Sequence, residues 1–327
     1  MRRIAGRGIG LSLTITLAAG CGGTAMQNGT LPFQGASGIT TPARSAALLY
    51  VAHKASYTSD GTTISILTFP QNKPVATIRV GYLSGMCSDS SGNVWIVVYQ
   101  EHPAGYYLVK YPHGKTKPIE QIRIPERGFG NGCAVDPSTG DLAVTIAAGG
   151  SSGGGSVEIW AGGRAGTPAT YSVPFNPIND AYDEHGNLFI DGNPGGSDPW
   201  LLFGELAKGS GAVASVTLDR KTSLPGAVQW DGAYIAVETG GYQPYMRGNP
   251  RIYRIEMSGS GARVVQTVIA KDPPLRGTTP FVVSGNSVVA TSQRRQGEVD
   301  VWPYPAGGSA TQIIGRFGYV RGLTISP

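Results

Sequence analysis

From residue 45 to the end of the chain, short apolar runs alternate with clusters of Gly, Asn, Asp, Ser and Pro. No long segment carries apolar residues at i, i+3, i+4 and i+7 without a Gly or Pro, so the pattern predicts strands and turns with little helix. Three segments align: CSDSSGNVWIVV (87–98), AVDPSTGDLAVT (134–145) and AYDEHGNLFIDG (181–192). The aspartate before each turn, Asp89, Asp136 and Asp183, recurs every 47 residues. Two weaker copies follow, AVQWDGAYIAVE (227–238) and FVVSGNSVVATS (281–292). Each reads as a β-hairpin. A second hairpin follows each first one, with turns at 111–118, 160–168, 206–211, 257–261 and 304–310.

A sixth turn of the second kind, FPQNKP (69–74), has no complete first hairpin before it, and the chain stops on VRGLTISP (320–327) after one strand. The two half units complete each other. Two hairpins per repeat of this length make a four-stranded propeller blade. Pairing 320–327 with SAALLYVAH (45–53) gives a sixth blade and hides the sheet edges that an open array exposes. The expected fold is therefore all-β, a six-bladed β-propeller of four-stranded antiparallel blades over 45–327, closed by its N- and C-terminal strands. An open solenoid leaves the half units unexplained.

The blade pattern aliphatic–x–Asp–x–x–Gly–Asn–aliphatic–aromatic–aliphatic resembles the NHL-repeat and gluconolactonase-like six-bladed propellers, over about residues 45–327. The resemblance implies inner strands that start at a channel mouth, near Ser84–Gly85, Asn131–Gly132, Asn179–Asp180, Pro225–Gly226, Thr279–Pro280 and Arg321–Gly322. Gluconolactonase-like members hold one divalent cation with Glu, Asn and Asp. Asn131, Asn179 and Asp180 match part of that set, whose oxygen donors suit Ca²⁺ or Mg²⁺. Ser84–Gly85–Met86 stands where the family has its Glu, and Arg321 enters the same channel. The fold hosts hydrolases, lyases, sensors and binding modules, so no reaction follows from it.

Gly and Pro make up 72 of the 327 residues, which suits many turns. The net charge of +5 falls to +2 without Arg2, Arg3 and Arg7, so no nucleic-acid partner is expected. The start, MRRIAGRGIGLSLTITLAAGCGG, has a charged head and an apolar stretch too short to span a bilayer, and 1–20 reads as a signal peptide. LAAGC resembles the bacterial lipobox, with Cys21 as the lipidated residue, although Leu17 lies four positions before it rather than the usual three. Cleavage after Ala19 as an ordinary signal peptide is the alternative. Residues 21–44 read as a flexible tether. The protein is expected as a monomeric lipoprotein of the bacterial cell envelope, touching the membrane through its anchor only.

The loops of the mouth face carry Arg294, Arg295 and Arg321, with Trp200 and Tyr242 among them. Guanidinium forks suit carboxylates and phosphates, and aromatic faces suit sugars or protein surfaces. With Asn131, Asn179 and Asp180 they are the candidate residues for a small anionic or carbohydrate-like ligand or an envelope protein. No catalytic residue is assigned and no cofactor is expected. The alternative, a lactonase-like hydrolase or a lyase, would use one Ca/Mg-type cation in the channel. His113 and His185 fall on the far face, whereas a lyase histidine would be His53 or His102, on the mouth face. Cys87 and Cys133 lie on neighbouring inner strands of an exported chain, where a disulfide can persist. They are offset by two and three positions from their turn aspartates, so they are expected to point opposite ways, and two buried thiols are the alternative.

Overall fold

The first hairpins owe their turns to aspartate. The Asp89 carboxylate accepts the backbone N–H groups of Ser91 and Asn93 at 3.0 and 2.8 Å. Asp183 does the same for His185 and Asn187, both at 2.9 Å, and Asp231 for Ala233 and Tyr234 at 3.0 and 2.8 Å. Each carboxylate satisfies donors that the turn exposes, which is a structural role.

The structure, a computed structural model, describes residues 46–56, 61–125, 128–148, 153–195, 200–222, 225–240, 250–259, 261–277 and 280–327. Among them the only helical element is the 3₁₀ turn Ala161–Gly163. The strands form six four-stranded antiparallel units, here blades 1 to 6. From the inner strand outward, blade 1 is Tyr319–Ser326, Leu48–Lys54, Thr62–Thr68 and Pro74–Val80. Blade 2 is Tyr82–Ser88, Val94–Glu101, Ala104–Tyr111 and Glu120–Arg123; blade 3 is Phe129–Val135, Leu142–Ala147, Gly155–Trp160 and Ala169–Val173. Blade 4 is Asn176–Tyr182, Leu188–Asn193, Leu202–Leu206 and Ala214–Leu218; blade 5 is Pro225–Trp230, Ile235–Thr239, Arg251–Ser258 and Gly261–Val268. Blade 6 is Val282–Ser284, Ser287–Thr291, Glu298–Pro303 and Gln312–Arg316. A short parallel bridge, Thr217–Leu218 to Gly261–Ala262, fuses the outer strands of blades 4 and 5 into one sheet.

The ring closes as the half units predict. Leu48 to Ala52 pair antiparallel with Ser326 to Gly322. Blade 2 locks this seam: His113 hydrogen-bonds Ser326 Oγ at 2.5 Å and the Ala46 carbonyl at 3.2 Å, and Ser88 Oγ donates to the Ile325 carbonyl at 2.8 Å. The core is divided among six apolar clusters, each filling the space between two neighbouring blades, including one between blades 6 and 1. Because each blade is packed on both faces, its second strand is an almost unbroken apolar run such as VWIVV.

The inner strands begin earlier than the sequence reading placed them, at Tyr82, Phe129, Asn176 and Tyr319 in blades 2, 3, 4 and 1. Several of the residues expected to open them lie at bulges. The ladder register shifts across Ser84, Asn131–Gly132, Ile178 and Gly226–Ala227, and again opposite Arg321. A bulged residue leaves the ladder and re-aims its neighbours.

Cys87 and Cys133 form a disulfide between the inner strands of blades 2 and 3, with Cα atoms 5.7 Å apart. Their offset is what allows it. Neighbouring blades stack face to face, so two residues at equivalent positions point the same way round the ring. A one-residue offset turns Cys133 back towards blade 2, into the cluster that holds Cys87 and Trp95. The bond spans 46 residues of sequence. Replacing both cysteines by serine is expected to lower unfolding stability by roughly 2–4 kcal/mol. Denaturant unfolding with and without reductant checks this; an unchanged midpoint in the double variant would count against it.

Candidate functional site

Inner strands of all six blades line a central channel of about 570 Å³. Bulges shape its upper wall, and each bulge exposes a backbone N–H that needs a partner. The Gly132 N–H donates to Thr145 Oγ1 at 2.9 Å, and the Asn179 N–H to Asp191 Oδ1 at 2.9 Å. Thr145, Asp191, Glu238 and Thr291 are buried polar residues at one equivalent site on the second strands of blades 3 to 6. Each lies four residues after the residue that closes its hairpin turn, namely Asp141, Asn187, Tyr234 and Ser287. Sequence reasoning missed these residues. The turns differ in length, so counting from the turn aspartate puts them out of register, whereas counting from the closing residue aligns them.

Asp180 and Asp191 are the unusual groups of the channel wall. Asp180 lines the channel and is 6% exposed, and neither carboxylate oxygen has a hydrogen-bond partner among the described residues. It lies against Gly132, where an added Cβ would sit 2.9 Å from Asp180 Oδ1. Burial, helped by the negative charge of Asp191, holds the Asp180 carboxyl well above the usual carboxylate range. Asp191 is fully buried, and burial pushes it up to about 7 against the opposing pull of two N–H donors on Asn179.

The cation set suggested by the family resemblance is present only in part in this wall. Asn131 donates its amide to the Pro177 carbonyl at 2.9 Å, and Asn179 donates its own to Asp191. Asp180 is held as an acid that favours its proton, and Arg321 shares the channel lining. Among the described residues no group of three or more His, Cys, Asp or Glu is placed to hold a metal. A Ca²⁺-type ion takes six to eight oxygens.

At the mouth, Lys54 and Arg321 converge on one aromatic ring. Lys54 Nζ is 5.3 Å and the Arg321 guanidinium carbon 5.2 Å from the centre of the Tyr82 ring, and Tyr319 lies 4.8 Å from the same guanidinium. Tyr82 is 41% exposed, whereas Lys54 is only 7% exposed. Among the described residues no carboxylate lies within ion-pair distance of Lys54. Beyond Tyr82 the aromatic surface continues through Tyr99, Tyr106 and the exposed Phe129, with ring centres 5.3 and 6.2 Å apart. Lys54 was not among the sequence candidates, because at the end of an apolar strand it reads as a solvated terminus.

The other candidates do not assemble into one site. Arg294 is paired with Glu298 at 3.4 Å, and neither it nor Arg295 lines the channel. Trp200 lines a different pocket, beside blade 4. Tyr242 and Cys21 lie outside the described residues. His53 is turned away from a reacting position: it hydrogen-bonds Ser65 Oγ at 3.0 Å and packs 5.4 Å from the Phe317 ring, and burial lowers its pKa. His102 is exposed.

Solved structures match this arrangement at low sequence identity. TolB from Acinetobacter baumannii aligns with a TM-score of 0.55 and 16% identity, over 86% of this chain and 67% of that one. The periplasmic gluconolactonase of Pseudomonas aeruginosa aligns with a TM-score of 0.55 and 14% identity, over 86% and 99%. A putative 6-phosphogluconolactonase from Bacteroides fragilis aligns with a TM-score of 0.53 and 10% identity, over 88% and 99%. The chain has a β-propeller fold. No protein-family model matches it, and no curated protein sequence does. At these identities the likenesses carry the fold and no activity.

Proposed function

We propose that this propeller is an exported, lipid-anchored binding module that holds a small anionic molecule at the channel mouth. Lys54 carries the proposal. Its stem is enclosed between blades, and its ammonium lies over the Tyr82 face with no carboxylate in ion-pair distance among the described residues; such a contact is worth about 0.5–2 kcal/mol. A ligand anion beside Lys54 and Arg321 supplies a counter-charge to both cations, with Tyr82 beneath it. Export rests on the signal-like first twenty residues, and likeness to a periplasmic gluconolactonase is in keeping with an envelope location.

Calorimetric titration of the mature chain with D-gluconate and with inorganic phosphate tests the site. At least one anion is expected to bind, and Lys54→Glu is expected to weaken it at least ~30-fold, about 2 kcal/mol. Lys115→Glu, an exposed charge reversal in a turn of the opposite face, should leave affinity unchanged. Failure of both anions to bind, or equal affinity in Lys54→Glu, overturns the proposal.

The second reading is a lactonase-like hydrolase or a lyase working in the channel. The observation in its favour is Asp180, a buried acid without a hydrogen-bond partner among the described residues, in the wall of an open channel. Turnover of glucono-δ-lactone that disappears in Asp180→Asn would support it; no turnover by the wild-type chain counts against it.

A further inference from the structure

We infer a second ligand site on the mouth face, separate from the channel: a pocket beside blade 4 that takes a hydrophobic monocarboxylate. The pocket holds about 490 Å³, within the range of small-molecule sites. Its floor is built by a cross-blade insertion. Phe175, on the connection from blade 3 to blade 4, packs into a seat left open by two glycines. A Cβ at Gly192 would lie 2.7 Å from Phe175 Cδ2, and one at Gly204 3.3 Å from Phe175 Cε1. Leu201, Phe203 and Val216 complete the apolar floor, all buried. The rim is tied across the pocket by the Leu201 N–H, which donates to the Thr222 carbonyl at 3.0 Å.

The charge at the rim selects the ligand. Arg220 is committed to Asp219 through two hydrogen bonds, Nε to Oδ1 at 3.0 Å and Nη2 to Oδ2 at 3.2 Å. Its neighbour Lys221 has no carboxylate within ion-pair distance among the described residues. Its ammonium lies 3.7 Å from the centre of the Trp200 ring, which is 38% exposed over the apolar floor. An apolar cavity with an ammonium at its edge that no carboxylate among the described residues compensates fits a ligand with an apolar body and one negative head. One ammonium balances the charge of a carboxylate monoanion, whereas a phosphate dianion against the apolar floor would keep a charge without a partner. The apolar floor disfavours a free sugar, whose hydroxyls would lose water without finding partners.

Octanoate, octanol and octylamine, each titrated calorimetrically into the mature chain below its micelle concentration, separate the contributions. Octanoate is expected to bind at least ~10-fold more tightly than octanol, with octylamine weakest. Lys221→Gln should erase the preference for octanoate over octanol, and Trp200→Ala should weaken both ligands. Lys115→Glu, an exposed charge reversal on the opposite face, should leave octanoate affinity unchanged. Equal binding of octanoate and octylamine, or octanoate affinity unaltered by Lys221→Gln and Trp200→Ala, overturns the inference.

Discussion

Deleting residues 320–327 is expected to abolish the folded monomer. That segment is the inner strand of blade 1, pairing with Leu48–Lys54 and filling the seam between blades 6 and 1. Its removal uncovers Leu49 and Val51, now fully buried, and discards the buried Val320 and Leu323. At about 1.5–3 kcal/mol per fully buried aliphatic side chain, four such residues approach the whole stability of an ordinary domain, about 5–15 kcal/mol. The deletion also opens a long apolar strand edge, a template for aggregation, and removes the Ser326 partner of His113. Circular-dichroism melting and size-exclusion chromatography check this. A chain ending at Tyr319 that stays monomeric and melts near the wild-type temperature would refute the closure. Removing Pro327 alone, an exposed residue beyond the ladder, should change little.

The second large effect concerns pH. The Asp191 carboxyl titrates near 7 in the folded chain, against about 3.9 when unfolded. Between these values the folded chain holds a proton that the unfolded chain has released, so stability falls as pH rises from about 4 to about 7 and then levels off. For Asp191 the loss is about 4 kcal/mol, at 1.36 kcal/mol for each pKa unit. Asp180 is displaced in the same direction, so its contribution has the same sign. Denaturant unfolding at pH 5 and pH 8 should show the greater stability at pH 5. Asp191→Asn, which keeps a neutral polar group in place, should reduce that slope by the Asp191 share. A variant with the wild-type slope, or a wild-type chain more stable at pH 8, would assign the pH dependence to other groups.

The two acids also define how the mouth face divides. The wall around Asp180 and Asp191 holds acids that favour their protons, whereas positive charge stands above it at Lys54 and Arg321. On the proposed reading, a ligand anion is received at the rim, where the cations and the Tyr82 ring meet. Asp191, behind the wall, gains its negative charge only as pH rises through about 7. Weaker anion binding at alkaline pH follows from the same arrangement.

Much of this protein was legible in its residues alone. The turn aspartates, the apolar second strands and the two half units determined a ring of four-stranded sheets closed end to end. Those signals are local, because turn chemistry and strand burial act over a few residues and repeat from blade to blade. Site geometry was not legible. The bulges at Ser84, Asn131–Gly132 and Arg321 arise from ladder pairing between strands, and the inner strands of blades 1, 2 and 3 begin before them rather than at them. The disulfide depended on which face of its blade each cysteine occupies, and face-to-face stacking reversed the inference from their offset. Lys54 came to have an enclosed stem, and Trp200 to line a pocket of its own, only through contacts formed in the folded chain. A side chain's burial, charge partners and direction are properties of contacts between blades, and the chain encodes those contacts only once the ring has closed.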